Sequence, residues 1–161
     1  MASVSLRKLK ISDFKYFSKW WRDKELIRLT SGNLKKLSDL EARKYFLAMP
    51  ENKSNWQYMI QSGKKTVGHI TLATRKAGWY ETQIVIGEKK YWGRGIGTLA
   101  IKELLALAGK NKIKKIYLEV RPDNLRAINA YIGCGFIPKK IKKYPNNKNL
   151  PKVLVMIWQM K

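Results

Sequence analysis

The sequence contains a single cysteine, Cys134, and a single histidine, His69. One cysteine forms no internal disulfide and builds no multi-cysteine zinc site, so it reads as a small buried thiol. One histidine makes no cluster, and His69 sits inside a strand-like run, where a neutral structural ring is expected rather than a triad base. No metal site follows from either residue. Long apolar runs are also missing. Nothing approaches the ~20 residues of a membrane span, and Arg7, Lys8 and Lys10 interrupt residues 1–11, where a signal peptide would be apolar. The expectation is a soluble cytoplasmic protein with no membrane partner. Acidic residues are scarce, 11 against 34 lysines and arginines, leaving a formal charge of +23. The surplus is spread along the chain in pairs such as Lys35-Lys36, Lys64-Lys65, Lys89-Lys90, Lys114-Lys115, Lys139-Lys140 and Lys142-Lys143. Such a field attracts phosphate wherever it is carried, and charge alone names no partner.

What is present suits one domain over residues 1–161, since a chain of this length with 45% hydrophobic residues buries a real core. Residues 4–9 alternate apolar and polar as a half-buried strand does, and Ser12 or Asp13 then offers a helix N-cap. Aromatics at 14, 16, 17, 20 and 21 follow helical spacing, a second short helix covers 24–29, and Gly32-Asn33 breaks it. Ser38, with Glu41 three residues later, has the spacing of a capping box ahead of a helix that Pro50 ends. Residues 56–61, 66–74 and 80–87 are strand-like and separated by Ser62-Gly63 and Ala77-Gly78, the pattern of an antiparallel meander. An apolar helix through Leu99, Leu104 and Leu107 then stops at Gly109, and a strand fills 113–120. Asp123 or Asn124 caps a helix running to Tyr131, and strands at 136–144 and 153–160 flank a turn. Seven strand-like runs with helices between them make the expected class α+β.

Between the meander and the apolar helix lies Trp92-Gly93-Arg94-Gly95-Ile96-Gly97-Thr98. A strand, three alternate glycines and a helix bring unencumbered amides and a helix N-terminus to one point, which is an anion site. A nucleoside-triphosphate loop needs Gly-Lys-Ser/Thr where Gly97-Thr98-Leu99 stands, and the dinucleotide fingerprint needs glycine in place of Thr98. The loop alone does not identify its anion. One strand later come Asn124, Ala127, Tyr131, Gly135 and Phe136. Together the two segments resemble the cofactor motifs of the GNAT superfamily of acyl-CoA-dependent N-acyltransferases: the loop Gln/Arg-x-x-Gly-x-Gly/Ala and the later Asn-x-x-Ala-x-x-x-Tyr-x-x-x-Gly-Phe. The sequence is most similar to the branch that acetylates ribosomal-protein alanines and aminoglycosides. Trp92 replaces the broad family's Gln or Arg, as in that branch. Ile132-Gly133 replaces a more usual charged pair, and glycine in a helical turn costs roughly 1 kcal/mol.

The resemblance implies a single N-acetyltransferase domain with a mixed, largely antiparallel sheet of about seven strands, flanked by helices and splayed at its centre. It implies acetyl-CoA as co-substrate, no metal, and direct attack of a primary amine on the thioester. Backbone groups of Ile84, Val85 and Ile86 would hold the pantetheine arm. The segment Trp92, Gly93, Arg94, Gly95, Ile96, Gly97 and Thr98 would take the pyrophosphate, and Asn124 and Ala127 would face the cofactor. Tyr131 is the implied acid, because a phenol of pKa ~10 stays protonated at neutral pH opposite a thiolate whose conjugate acid is near ~8.5. For the base, Glu81 starts a strand and Glu88 ends it, and alternation places them on opposite faces. Glu81 matches an acidic residue of the similar branch; Glu88 or a water relay is the alternative. Trp20, Trp21, Trp79 and Tyr80, with Glu88, are candidates for the acceptor pocket, and core packing is the alternative for the aromatics. The acceptor stays open between a protein N-terminus, an aminoglycoside, a polyamine and an amino sugar. The positive surplus repels polycations and favours an N-terminus on an RNA-rich, ribosomal particle. A non-catalytic acyl-CoA- or RNA-binding module is the competing class, and oligomeric state is not readable.

Overall fold

The structure, a computed structural model, describes residues 3–30 and 36–161. The expected break at Gly32-Asn33 lies outside them. The strands are β1 (Val4–Lys8), β2 (Asn55–Ser62), β3 (Lys65–Thr74), β4 (Tyr80–Ile86), β5 (Lys115–Val120), β6 (Ile137–Lys143) and β7 (Lys152–Gln159). The helices are α1 (Phe14–Trp20), α2 (Lys24–Leu29), α3 (Asp39–Glu51), α4 (Ile96–Lys110) and α5 (Leu125–Ile132). One sheet forms in the order β1-β2-β3-β4-β5-β7-β6, antiparallel throughout except between β4 and β5. The fold is thus the α+β, mixed and mostly antiparallel arrangement expected.

The parallel pairing of β4 with β5 covers only Tyr80↔Ile116 and Glu81↔Tyr117. From Thr82 onward β4 keeps β3 on one side and has no strand on the other. That open edge is the central splay. Period-2 alternation sends Ile84 and Ile86 of β4 to the face covered by α4 and α5, where they join Ile70, Leu72, Ala100 and Leu104. Val85 goes to the opposite face, against Phe17, Trp20, Phe46 and Met59. Burying side chains of this size stabilises by roughly 1.5–3 kcal/mol each, so both faces are anchored.

Local signals fix several termini. The Ser38–Glu41 capping box forms in both directions, with the Ser38 N–H donating to Glu41 Oε2 at 2.9 Å and the Glu41 N–H donating to Ser38 Oγ at 3.2 Å. Asn124, not Asp123, caps α5 by accepting from the Ala127 N–H at 3.3 Å. Three expectations change. Asp13 does not cap α1; it pairs with Arg7 at 2.6 and 2.8 Å and accepts from the Lys10 N–H. Burial raises this carboxyl, but the Arg7 and Lys10 bonds outweigh burial and hold it below the ordinary carboxylate range. α3 passes Pro50 by one residue. α4 likewise passes Gly109, because its end is closed two residues later by Lys112 at φ +59, with the Ile113 N–H donating to the Ala108 carbonyl at 2.9 Å.

Candidate active site

The glycine loop leaves β4 through a short turn and enters α4 with Gly93 at φ +72 and Gly95 at φ +73. Both are left-handed, a conformation that costs other L-residues about 1–2 kcal/mol. Gly95 is the helix N-cap and carries no side chain to occupy the exposed donors. None of the six consecutive amides at 93–98 finds an acceptor among the described residues; the first N–H of this stretch that does is that of Leu99, bonded to the Gly95 carbonyl at 3.0 Å. Six free donors at the positive end of a fifteen-residue helix form a cradle for an anion. A Cβ at Gly93 or Gly95 would meet nothing within 4 Å, so the cradle is open to solvent.

Trp92 is held differently from its neighbours. Its indole N–H donates to the Ile86 carbonyl at 2.7 Å, and the Arg126 guanidinium lies 4.2 Å from its ring centroid. The Arg126 contact joins the loop to α5, a link that spacing alone did not reveal. Arg94 lies exposed 5.8 Å from the Tyr91 ring and has no carboxylate partner among the described residues. Because the Ile86 carbonyl faces away from β3 toward Trp92, alternation turns the peptides of Ile84 and Thr82 into the splay and that of Val85 toward β3. The three residues 84–86 expected to hold the pantetheine arm thus differ in which way their peptides face. Val85 is engaged opposite His69, and the splay edge belongs to Thr82, Ile84 and the N–H of Ile86.

Tyr131 lies on α5 in the same core cluster as Ile84, Ile86 and Ile96, with its ring 5.9 Å from that of Phe136. Only 8% of the residue is exposed. No fully buried side-chain polar atom among the described residues lacks a partner, and the Tyr131 hydroxyl makes no hydrogen bond, so that oxygen is not completely sealed from solvent. Burial, with a smaller contribution from Cys134, pushes the phenol well above its ordinary value. It stays protonated at any working pH, and full proton transfer from it is harder than for an ordinary phenol. Ala127 packs against the same cluster, and Cys134 donates weakly to the Thr98 carbonyl at 3.6 Å.

Glu81 and Tyr117 are the last paired residues before the strands part. The Glu81 carboxylate accepts from Arg75 at 2.6 and 2.8 Å and from the Tyr117 hydroxyl at 3.3 Å. Arg75 and Tyr117 were not singled out in the sequence, since nothing local pairs them with Glu81. The carboxylate singled out as the candidate base is thus ion-paired at the branch point. It also lines a cavity of about 110 Å³ with Asn55, Gln57, Thr71 and Gln83. Glu88 does not lie on the face opposite Glu81, because β4 ends at Ile86 and alternation stops there. It turns to α1, accepting from Lys19 at 2.7 and 2.8 Å and from the Trp20 indole at 3.1 Å. Burial raises the Glu88 carboxyl, but these bonds outweigh it and hold it below the usual range.

The four aromatics proposed for one pocket wall are not brought together. Trp20 is 4% exposed and covers Gly87, where an added Cβ would lie 2.1 Å from the indole. Trp21 packs edge-on against Phe17 in that cluster. Trp79 stands against Tyr117 at 6.2 Å, while Tyr80 belongs to the α4 face. Trp20 is a buried core ring, and Trp21 is half-buried at the edge of the same cluster. No group of three or more His, Cys, Asp or Glu among the described residues could hold a metal, and no described helix is long and apolar enough to cross a membrane.

The acetyltransferase (GNAT) domain family model matches residues 3–137, spanning the loop, the splay and α5. The chain belongs to the GNAT acetyltransferase family. Solved GNAT folds align along nearly its whole length. An aminoglycoside acetyltransferase, AAC(6')-Ib, in complex with coenzyme A shares 19% identity at a TM-score of 0.80, over 98% of this chain and 95% of that one. The spermidine N-acetyltransferase of Vibrio cholerae, in complex with CoA and spermine, shares 19% at a TM-score of 0.84, over 97% and 95%. Among curated proteins, an uncharacterised protein of Mycobacterium leprae is 44% identical over 57 residues, 35% of this chain. One of Methanocaldococcus jannaschii is 27% identical over 100 residues, 61% of this chain. The matched segments span only 15% and 20% of those two proteins' own lengths.

Proposed function

We propose that this chain moves the acetyl group of acetyl-CoA to a primary amine by direct attack, with the six unbonded amides at 93–98 beside the open β4 edge as the observation that carries the reading. The amides and Arg94 hold the pyrophosphate, the positive φ values of Gly93 and Gly95 keeping side chains out of its way. Peptide groups of Thr82, Ile84 and Ile86 pair with the amide-bearing pantetheine arm as a missing strand would. Asn124 orders the start of α5, and Ala127 packs beneath it, so that Tyr131 is presented at the splay. As the amine nitrogen bonds to the carbonyl carbon and the C–S bond breaks, the Tyr131 hydroxyl donates a hydrogen bond to the departing sulfur. Its raised pKa suits a donor that stays neutral. The amine's proton leaves through water, since Glu81 is engaged by Arg75.

The acceptor class follows from the same electrostatics. Among the described residues, ion pairs hold at least eight carboxylates, Glu81 and Glu88 among them. A polyamine or aminoglycoside would have to displace those partners under a net charge of +23. A single amine on an RNA-rich particle, such as a ribosomal-protein N-terminus, meets no such barrier. The test follows free thiol release from acetyl-CoA with ribosomal N-terminal peptides, spermidine, kanamycin and an amino sugar. Acceptor-dependent release with the peptides is expected. Release with spermidine or kanamycin alone would reverse the acceptor assignment, and CoA binding without release for any amine would leave a binding module.

A further inference from the structure

The β2–β3 hairpin turns through Gly63 at φ +58, whose N–H donates to the Ser3 carbonyl at 2.9 Å. This contact fixes the tip of the hairpin, so Lys64 and Lys65 stand on a held turn. They border a cavity of about 300 Å³, together with Tyr16 of α1 and Glu88, Lys90 and Tyr91 from the segment leading into the glycine loop. Three lysines therefore converge on one concavity that contains a single carboxylate. That carboxylate is already engaged, because Glu88 accepts from Lys19 and Trp20. Lys64 and Lys65 have no carboxylate partner among the described residues, and Lys90 lies against the Tyr91 ring at 5.5 Å. The adjacent Lys89 has the opposite arrangement, bridging Asp23 and Glu25 at 2.8 Å each. One lysine of that pair closes an ion pair and the other is left facing the cavity.

Uncompensated like charges around a concavity focus a positive potential into it, and the tyrosine hydroxyls add neutral donors. The volume is at the small end of ligand sites and matches a compact group rather than a protein segment. A phosphate monoester, carrying close to two negative charges with three acceptor oxygens, complements three lysines better than a carboxylate does. We propose that this cavity is a second phosphate site, taking a phosphate monoester beside the pyrophosphate cradle at 93–98. The identification of that cradle rests on the acetyltransferase reading, whereas the lysine cavity stands on its own geometry. Two sources carry this chemistry: the 3'-phosphate of acetyl-CoA and a phosphorylated amine acceptor.

The test compares the wild type with the triple variant Lys64→Gln/Lys65→Gln/Lys90→Gln. These three side chains are exposed, so the variant should unfold at the same temperature. Inorganic phosphate titrated into the protein should move the backbone amide resonances of Lys64, Lys65 and Lys90 in the wild type and not in the variant. This readout is independent of catalysis. Calorimetry with CoA and 3'-dephospho-CoA, and turnover with O-phosphoethanolamine and ethanolamine, then distinguish the sources. If the site takes the cofactor's phosphate, the wild type prefers CoA by about tenfold and the variant loses that preference. If it takes the acceptor's, the preference for O-phosphoethanolamine is the one lost. Phosphate shifts confined to 93–98, or both preferences unchanged in the variant, overturn the proposal. Failure of CoA to bind with the phosphate shifts intact would instead sink the acetyltransferase reading and leave the lysine site standing.

Discussion

Helices α1 and α3 cover one face of the sheet and α4 with α5 the other, and open polar groups gather on the second side although its buried Thr82 hydroxyl is bonded to the Thr71 carbonyl. On the α1 face each buried polar group has a partner: Asp13 with Arg7, Thr66 with Gln61 and Arg7, His69 with Gln57 at 2.8 Å. On the α4 side, six amides, the Tyr131 hydroxyl and the β4 edge are left without one. An unmade bond at a buried group costs about 1–3 kcal/mol, so open donors persist only where water or a ligand reaches them. Changes on the first face should therefore appear as stability, and changes on the second as binding or turnover.

The largest effect expected tests the first half of that contrast. Burial lowers the His69 pKa from 6.5 to about 4, the charge of Asp13 opposing this only weakly. Between those values the unfolded chain binds a proton that the folded chain does not, so stability rises with pH across the window and is complete above 6.5. Falling from pH 6.5 to 4 should remove roughly 3 kcal/mol through this residue. Urea midpoints measured across pH 4–7 should show a flatter dependence in His69→Asn, and an equal slope would mean that His69 is not the group responsible.

On the other face, Tyr131→Phe removes a hydroxyl that no protein group uses. We expect kcat to fall about a hundredfold, the scale of a lost donor at a developing charge, with acetyl-CoA affinity and thermal stability unchanged. Unchanged kcat would take Tyr131 out of the mechanism. Gly95→Val forces a β-branched residue into φ +73, a cost of about 1–2 kcal/mol. It also sets a side chain at the cradle, so acetyl-CoA should bind about tenfold more weakly. Equal affinity by calorimetry would show that the loop is not the pyrophosphate site. At the branch point, Glu81→Gln should lower kcat by no more than about fivefold and leave its pH profile in place. A general base would cost at least about a hundredfold.

How much of this was legible depends on how local each feature is. The strand–glycine–helix junction, the Ser38–Glu41 box and the Asn124 cap, the last left open between Asp123 and Asn124, are set by a few consecutive residues, and each appears within the segment that spacing marked. The splay and the family followed from two motifs read together. The partners of Glu81, Glu88 and Asp13 lie on other elements, and no periodicity within one segment carries that information. Trp20 belongs to the same class: helical spacing placed it on α1, but only the approach of Gly87 shows that it is a core ring. Val85 is a subtler case. Side-chain alternation was readable in β4, whereas the direction of its peptides depends on which strand lies on each side.

The smallest expected effect separates backbone need from ligand need within one helix. At the N-terminal end of α4, where donors stay open, the left-handed positions are glycines; at its C-terminal end Lys112 takes φ +59 although any L-residue is strained there. The Lys112 and Ile113 N–H groups close the last turn by donating to the Gly109 and Ala108 carbonyls, so nothing is left for a ligand to reach. Lys112→Gly relieves the strain and should add about 1 kcal/mol, raising the unfolding temperature by about 2–4 °C. Turnover and acetyl-CoA affinity should not move. A gain in stability without a change in kinetics would mean that glycine sits at the loop for the approaching anion, since the other end of the same helix tolerates lysine in the same backbone conformation. A kinetic change of more than about twofold would instead tie the two ends of α4 together.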